Sequence, residues 1–188
     1  MTSVAIAPKN KIHPHKFTLW VAIGSILMMF AGLTSAYIVK RNQANWESFE
    51  IPVLFWISTA VIVLSSLTIV AANKAFRARA MGRYRSLVFV TMTLGVLFIV
   101  LQAIGFKQLW DQGLTLQKNV AYSFLYVIVG LHALHVIGGV VALVVMTLKA
   151  FSNKTRVYSS VPLEVMSTYW HFVDVLWIYL LVFLVLIR

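Results

Sequence analysis

Tyr169-Trp170-His171-Phe172-Val173-Asp174-Val175-Leu176-Trp177 sets a histidine and an aspartate inside a hydrophobic run that continues to the C-terminal Arg188. An ionisable side chain facing lipid costs several kcal/mol, so such residues turn toward the interior of a helix bundle and take a partner there. At helical spacing His171 and Asp174 are i,i+3 neighbours, while Trp170, Asp174 and Trp177 form an i,i+4,i+7 stripe. One side of this helix therefore carries the acid and both indoles, and that side must pack against something.

Working outward, 61% of the 188 residues are hydrophobic and only 11% are charged, far below the charged fraction of about 25% in a soluble domain. Apolar runs long enough for the roughly 20 residues that a bilayer demands occur at about 17–39, 52–72, 86–106, 122–148 and 166–187. The pattern predicts an all-α fold, a polytopic integral membrane bundle of five transmembrane helices forming a single domain over 1–188. Residues 1–16 form a basic cytoplasmic tail. Neither that tail nor the loop between the third and fourth spans could bury a core of its own.

The net charge of +11 follows the membrane rather than a nucleic-acid footprint, so no nucleic acid is expected as a partner. With the N-terminus inside, the inner segments hold Lys9, Lys11, Lys16, Lys74, Arg77, Arg79, Arg83, Arg85, Lys149, Lys154 and Arg156, and the outer ones only Lys40, Arg41, Lys107, Lys118 and Arg188. The bias predicts N-inside, C-outside. The acid-free cluster Arg77, Arg79, Arg83 and Arg85 is a topology signal and a candidate for contact with lipid phosphates.

The chain contains no cysteine, which excludes disulfides, thiolate metal sites and cysteine nucleophiles. Met1–Lys16 has no apolar segment of the kind a cleavable signal needs, so the first span is expected to stay. In that span Gly24, Ala31, Gly32 and Ala36 suit close helix contact. Pro52 suits a first helical turn at the start of the second. The hydroxyls Ser58, Thr59, Ser65, Ser66 and Thr68 of the second span can bond back to its own carbonyls, whereas Gln102 in the third needs a partner on a neighbour or at the interface. Trp20, Trp46 and Trp110 read as interfacial anchors.

The fourth span carries Gly130-Leu131-His132-Ala133-Leu134-His135-Val136-Ile137-Gly138-Gly139, with Ala142 one turn beyond. Small residues mark where backbones approach, so His135, on the side of Gly138, Gly139 and Ala142, is expected to point into the bundle. At about 1.5 Å rise per residue, His135 lies near the midplane, His132 about 5 Å to the outer side and His171 roughly 9 Å to the inner side. Two axial haem ligands need nearly equal depth, and this pair misses it by most of two turns. A structural polar cluster of His132, His135, Glu164, His171 and Asp174 is the expectation, with no metal and no catalytic residue. Glu164 would tether the start of the fifth helix, and Trp170, Trp177, Gly138 and Gly139 would serve packing or a lipid groove. A proton relay through Asp174 lacks a chain of further deep acids to continue it.

These stretches resemble subunit III of the haem–copper respiratory oxidases, the cytochrome c oxidase subunit III family. Glu164 followed by the Tyr169–Trp177 run looks like that family's closing signature, the Gly130–Gly139 run like its penultimate helix, and Leu101-Gln102-Ala103 like the end of the helix before. Phe30-Ala31-Gly32-Leu33 and Tyr37 fit the first span more loosely. The five spans correspond to the last five of the family's seven-helix members, making this a short, five-helix form. Two positions depart from the longer members: Ile26 and Gly105 stand where many of them carry a glutamate.

The resemblance implies a non-catalytic subunit III of a terminal oxidase, with a cytochrome c oxidase as the first reading, in a bacterial cytoplasmic (inner) membrane. It implies packing on subunit I beside subunit II, a possible place in a larger supercomplex, bound phospholipid, support of proton uptake and stability, and haem and copper in the partner subunits. A quinol oxidase subunit III or a nitric-oxide-reductase-associated relative is the alternative within the family. A small membrane b-type cytochrome is the alternative outside it. A solute transporter would need a Gly- or Pro-interrupted helix and a polar pocket, and no span has an internal proline.

Overall fold

The computed structural model describes residues 14–42, 46, 50–152 and 160–187. Lys9, Lys11, Lys154, Arg156 and Arg188, used above to orient the chain, lie outside the described residues. The helices are α1 (Pro14–Arg41), α2 (Val53–Arg77), α3 (Met81–Asp111), α4 (Val120–Phe151) and α5 (Val161–Ile187). All five are long and apolar enough to cross a membrane. At about 1.5 Å per residue they span roughly 38–48 Å, more than the hydrocarbon thickness of about 30 Å. Some of their ends carry basic residues, Lys40 and Arg41 of α1, Lys74 and Arg77 of α2 and Arg83 and Arg85 of α3, and so reach past the apolar stretches visible in the sequence.

Proline and asparagine set two of the starts. Pro52 stands just before α2, with its φ of −57° and its carbonyl accepting from Phe55 N–H at 3.0 Å. Asn119 accepts from the Ala121 N–H at 2.9 Å and so caps α4. The link from α2 to α3 is shorter than the thirteen residues between the apolar runs suggest. It consists of Ala78–Ala80, where Arg79 adopts a φ of +59° and Ala80 N–H reaches back to the Ala75 carbonyl at 3.0 Å. That left-handed residue closes a helix end in the way glycine more often does.

Packing makes a ring of four. α2 packs on α3, α3 on α4, α4 on α5, and α5 back on α2; α1 lies outside this ring against α4 and α5. Half of the most apolar window of α5 is buried but only 17% of that of α1, so α5 is the central element and α1 the peripheral one. The core between them is aromatic and aliphatic, with Phe55, Ile62, Phe98, Val136, Trp170, Val173 and Trp177 shut off from the surface. In lipid such a core is held by close van der Waals packing and interhelical hydrogen bonds, since the surrounding tails are as apolar as the side chains.

Candidate functional site

Both indoles of the α5 stripe are fully buried. Trp170 fits a slot made by two glycines: a Cβ built on Gly95 would lie 2.8 Å from the ring, and one on Gly139 2.9 Å. Its Nε1–H donates to Ser65 Oγ of α2 at 3.0 Å. Trp177, two turns on, donates to Thr59 Oγ1 at 2.9 Å and meets Phe55 and Phe98 edge-on. Gln102 of α3 donates to Ser58 Oγ at 2.8 Å. The buried indoles thus find the partners that buried N–H groups require.

The hydroxyls of α2 are what the sequence reading undervalued. Ser58, Thr59 and Thr68 do bond back to carbonyls of their own helix, as expected. Yet Ser58 and Thr59 also accept from α3 and α5, Thr68 pairs with Thr91 at 2.8 Å, and Ser65 lies between the Trp170 indole and the Thr91 carbonyl. Antiparallel α2 and α5 set Ser65 and Thr59, six residues apart, opposite Trp170 and Trp177, and nothing in the sequence marks those two hydroxyls out from their neighbours.

The expected cluster of His132, His135, Glu164, His171 and Asp174 needs correction, because only His171 and Asp174 share a surrounding, and that surrounding is α2. His171 Nδ1 contacts Ser66 Oγ of α2 at 2.6 Å. Asp174 is 3% exposed; the same Ser66 hydroxyl faces it, but neither carboxylate oxygen reaches hydrogen-bond geometry with any described residue. The two α5 groups therefore converge on α2, because the indole stripe that bears Asp174 is turned to the hydroxyls of that helix. His132 is fully enclosed, with no partner for either ring nitrogen among the described residues. His135 stands at the edge of the bundle rather than inside it, its ring edge-on to Phe30 of α1 at 5.9 Å. It is half-buried, its Nδ1 lies 2.7 Å from the Leu131 carbonyl oxygen, and adjacent Gly138 is exposed while Gly139 takes the inward position.

At one end of the bundle Glu164 joins three helices, meeting Lys16 Nζ of α1 at 2.8 Å and Arg77 Nη2 of α2 at 3.4 Å. Lys16, Trp20, Asn73, Arg77, Glu164 and Thr168 line a cleft there of about 360 Å³. Arg77 is thus partly engaged by an acid, Arg83 is exposed, and the Arg85 guanidinium lies 6.0 Å from the Phe151 ring centroid. Trp20 and Trp110 are exposed near helix ends, but Trp46 packs edge-on over Tyr37 at 4.8 Å and is no free anchor. Among the described residues no three His, Asp or Glu side chains come together as a metal-binding group.

These features define a multi-pass α-helical membrane protein whose intramembrane polar side chains mostly join one helix to another. The family model described as cytochrome c oxidase subunit III matches residues 16–187. A probable cytochrome c oxidase subunit 3 of Nocardia farcinica is 32% identical over 180 residues, covering 90% of this chain and 89% of its own length. Cytochrome c oxidase subunit 3 of Corynebacterium diphtheriae is 32% identical over 197 residues, 95% of each chain, and that of Bacillus subtilis 27% identical over 183 residues, 94% of this chain and 86% of its own. The chain belongs to the cytochrome c oxidase subunit III family, the subunit III of haem–copper oxidases.

Proposed function

We propose that this chain is the non-catalytic subunit III of a bacterial cytochrome c oxidase. It lies in the inner membrane with its N-terminus inside, packs on the metal-bearing subunit I beside subunit II, and supports proton uptake and the working lifetime of the enzyme. The observation that carries this reading is the Trp170–Ser65 and Trp177–Thr59 register, which directs the signature stripe of α5 into this chain's own α2. The family's most recognisable residues hold the bundle together. Haem and copper reside in the partner subunits, and Arg79, Arg83 and Arg85 meet phospholipid headgroups on the inner side.

Purifying the enzyme through a tag on this chain tests the reading. Haem and copper spectra should copurify, whereas the isolated chain should show no Soret band. An oxidase lacking the chain should keep its metals, begin near normal activity and decline during turnover. A haem retained by the isolated chain would turn the reading into that of a small cytochrome. Reduction of the copurified enzyme by cytochrome c, and not by quinol alone, tests the donor. Because the chain lacks cysteine, single cysteines at Arg79 and Gln112 report the orientation: only the second should react with an impermeant thiol reagent added from outside.

A further inference from the structure

His135 Nδ1 faces a carbonyl oxygen at 2.7 Å. A carbonyl has only lone pairs to offer, so Nδ1 carries a proton, and in the neutral ring that hydrocarbon surroundings favour Nε2 is left as a bare acceptor. Among the described residues Nε2 has no hydrogen-bond partner, and it is not one of the sealed, unpaired nitrogens of the interior, so it opens at the surface beside Phe30 of α1, which meets the ring edge-on at 5.9 Å. His135 lies midway along α4, about 22 Å from either helix end, where the surface meets hydrocarbon rather than headgroups. Acyl chains carry no donor, and a headgroup cannot reach that depth. Around it α4 presents Leu134, Gly138, Val141 and Ala142, all exposed, and a Cβ on Gly138 would have nothing within 4 Å.

The geometry points to this face of α4 as the seat of a transmembrane helix from a neighbouring subunit, one that brings an O–H or N–H donor to His135 Nε2 and approaches closely over Gly138 and Ala142. A lipid tail could cover the shelf but would leave the acceptor unsatisfied, which is the cost that intramembrane packing avoids. The inference rests on the reading of the chain as an oxidase subunit and adds the face, the depth and the atom through which it is held.

The test uses the assembled oxidase, purified through a tag on its catalytic subunit. His135→Leu should lower retention of this chain through detergent washing by about three- to tenfold, and His135→Gln, which keeps an acceptor, should restore much of it. Gly138→Leu should block association while leaving the free chain as thermally stable as the parent, since the site is open. A photo-crosslinking residue at Leu134 or Val141 should yield an adduct with a protein subunit. Unchanged retention of His135→Leu, or adducts with lipid alone at both positions, would overturn the inference while leaving the oxidase reading intact. If the unmodified chain failed to copurify with any haem–copper enzyme, the oxidase reading itself would fall.

Discussion

The imidazole of His132 and the indole of Trp177 lie stacked, centroids 5.1 Å apart and planes 27° from parallel. Phe30 and Phe98 close the remaining sides of the imidazole edge-on, and neither ring nitrogen has a hydrogen-bond partner among the described residues. A polar ring in such a place contributes shape. Replacing a buried polar group by an apolar one of similar outline is close to neutral or stabilising, whereas adding charge there is not. His132→Phe should change the thermal stability of the purified chain by less than about 1 kcal/mol, and His132→Lys should prevent folding, both followed by differential scanning in detergent.

Gly138 and Gly139 are neighbours in sequence with opposite surroundings. At Gly139 an added Cβ meets the Trp170 ring at 2.9 Å, while at Gly138 it meets nothing. Gly139→Ala should therefore destabilise the chain by about 1–3 kcal/mol. Gly138→Ala should be neutral or raise stability by up to about 1 kcal/mol through helix propensity. The two melting curves, measured side by side, would refute the packing argument if they moved together.

Ser65→Ala removes the acceptor of the Trp170 indole and strands a buried N–H. A loss of about 1 kcal/mol is expected, in the range found for interhelical hydrogen bonds in membranes and for unsatisfied donors. Trp170→Phe in the same background should cost less than it does alone. A double-mutant cycle showing strict additivity would mean that the bond contributes nothing.

Glu164 holds two cations from two other helices, of which Arg77 is largely and Lys16 partly exposed. Exposed ion pairs stabilise by about 0.2–1 kcal/mol, so Glu164→Gln should leave the melting temperature almost unmoved. Its effect should be local: faster amide exchange over the first turns of α1 and the last turn of α2, with the core unaltered. Protection unchanged at those ends would show that the pairs are incidental.

The fold was largely written in the hydropathy, because a bilayer filters out every architecture but the helical and the barrel, and five long apolar runs leave no other choice. The turn at Arg79 was illegible: nothing in Ala78-Arg79-Ala80 announces a left-handed residue, and a hydropathy window cannot see helix continuing through Lys74 and Arg77. The indole stripe of α5 could be read from spacing alone. Its partner could not, because apolar α2 and α4 are equally good neighbours for a tryptophan until an acceptor is placed, and the acceptors were serines and threonines that ordinarily serve their own backbone. The same ambiguity hid that His135 sits at the edge of the bundle, against Phe30 of α1. Two adjacent glycines mark a close contact without saying which of them makes it.

The position of α1 bears on the order of events during synthesis. Among the described residues its contacts are with α4 and α5, fixed at Thr34 by the Tyr179 hydroxyl at 3.2 Å. When α1 leaves the ribosome, neither neighbour exists. At about 5–20 residues per second, roughly ten seconds of translation separate Arg41 from the first turn of α5. Until α4 emerges α1 must stand in the bilayer by hydrophobicity alone, while the α2–α3 hairpin closes without it. It is made before its neighbours and seated only after them, and truncating the chain before α5 removes one of the two helices that hold its beginning.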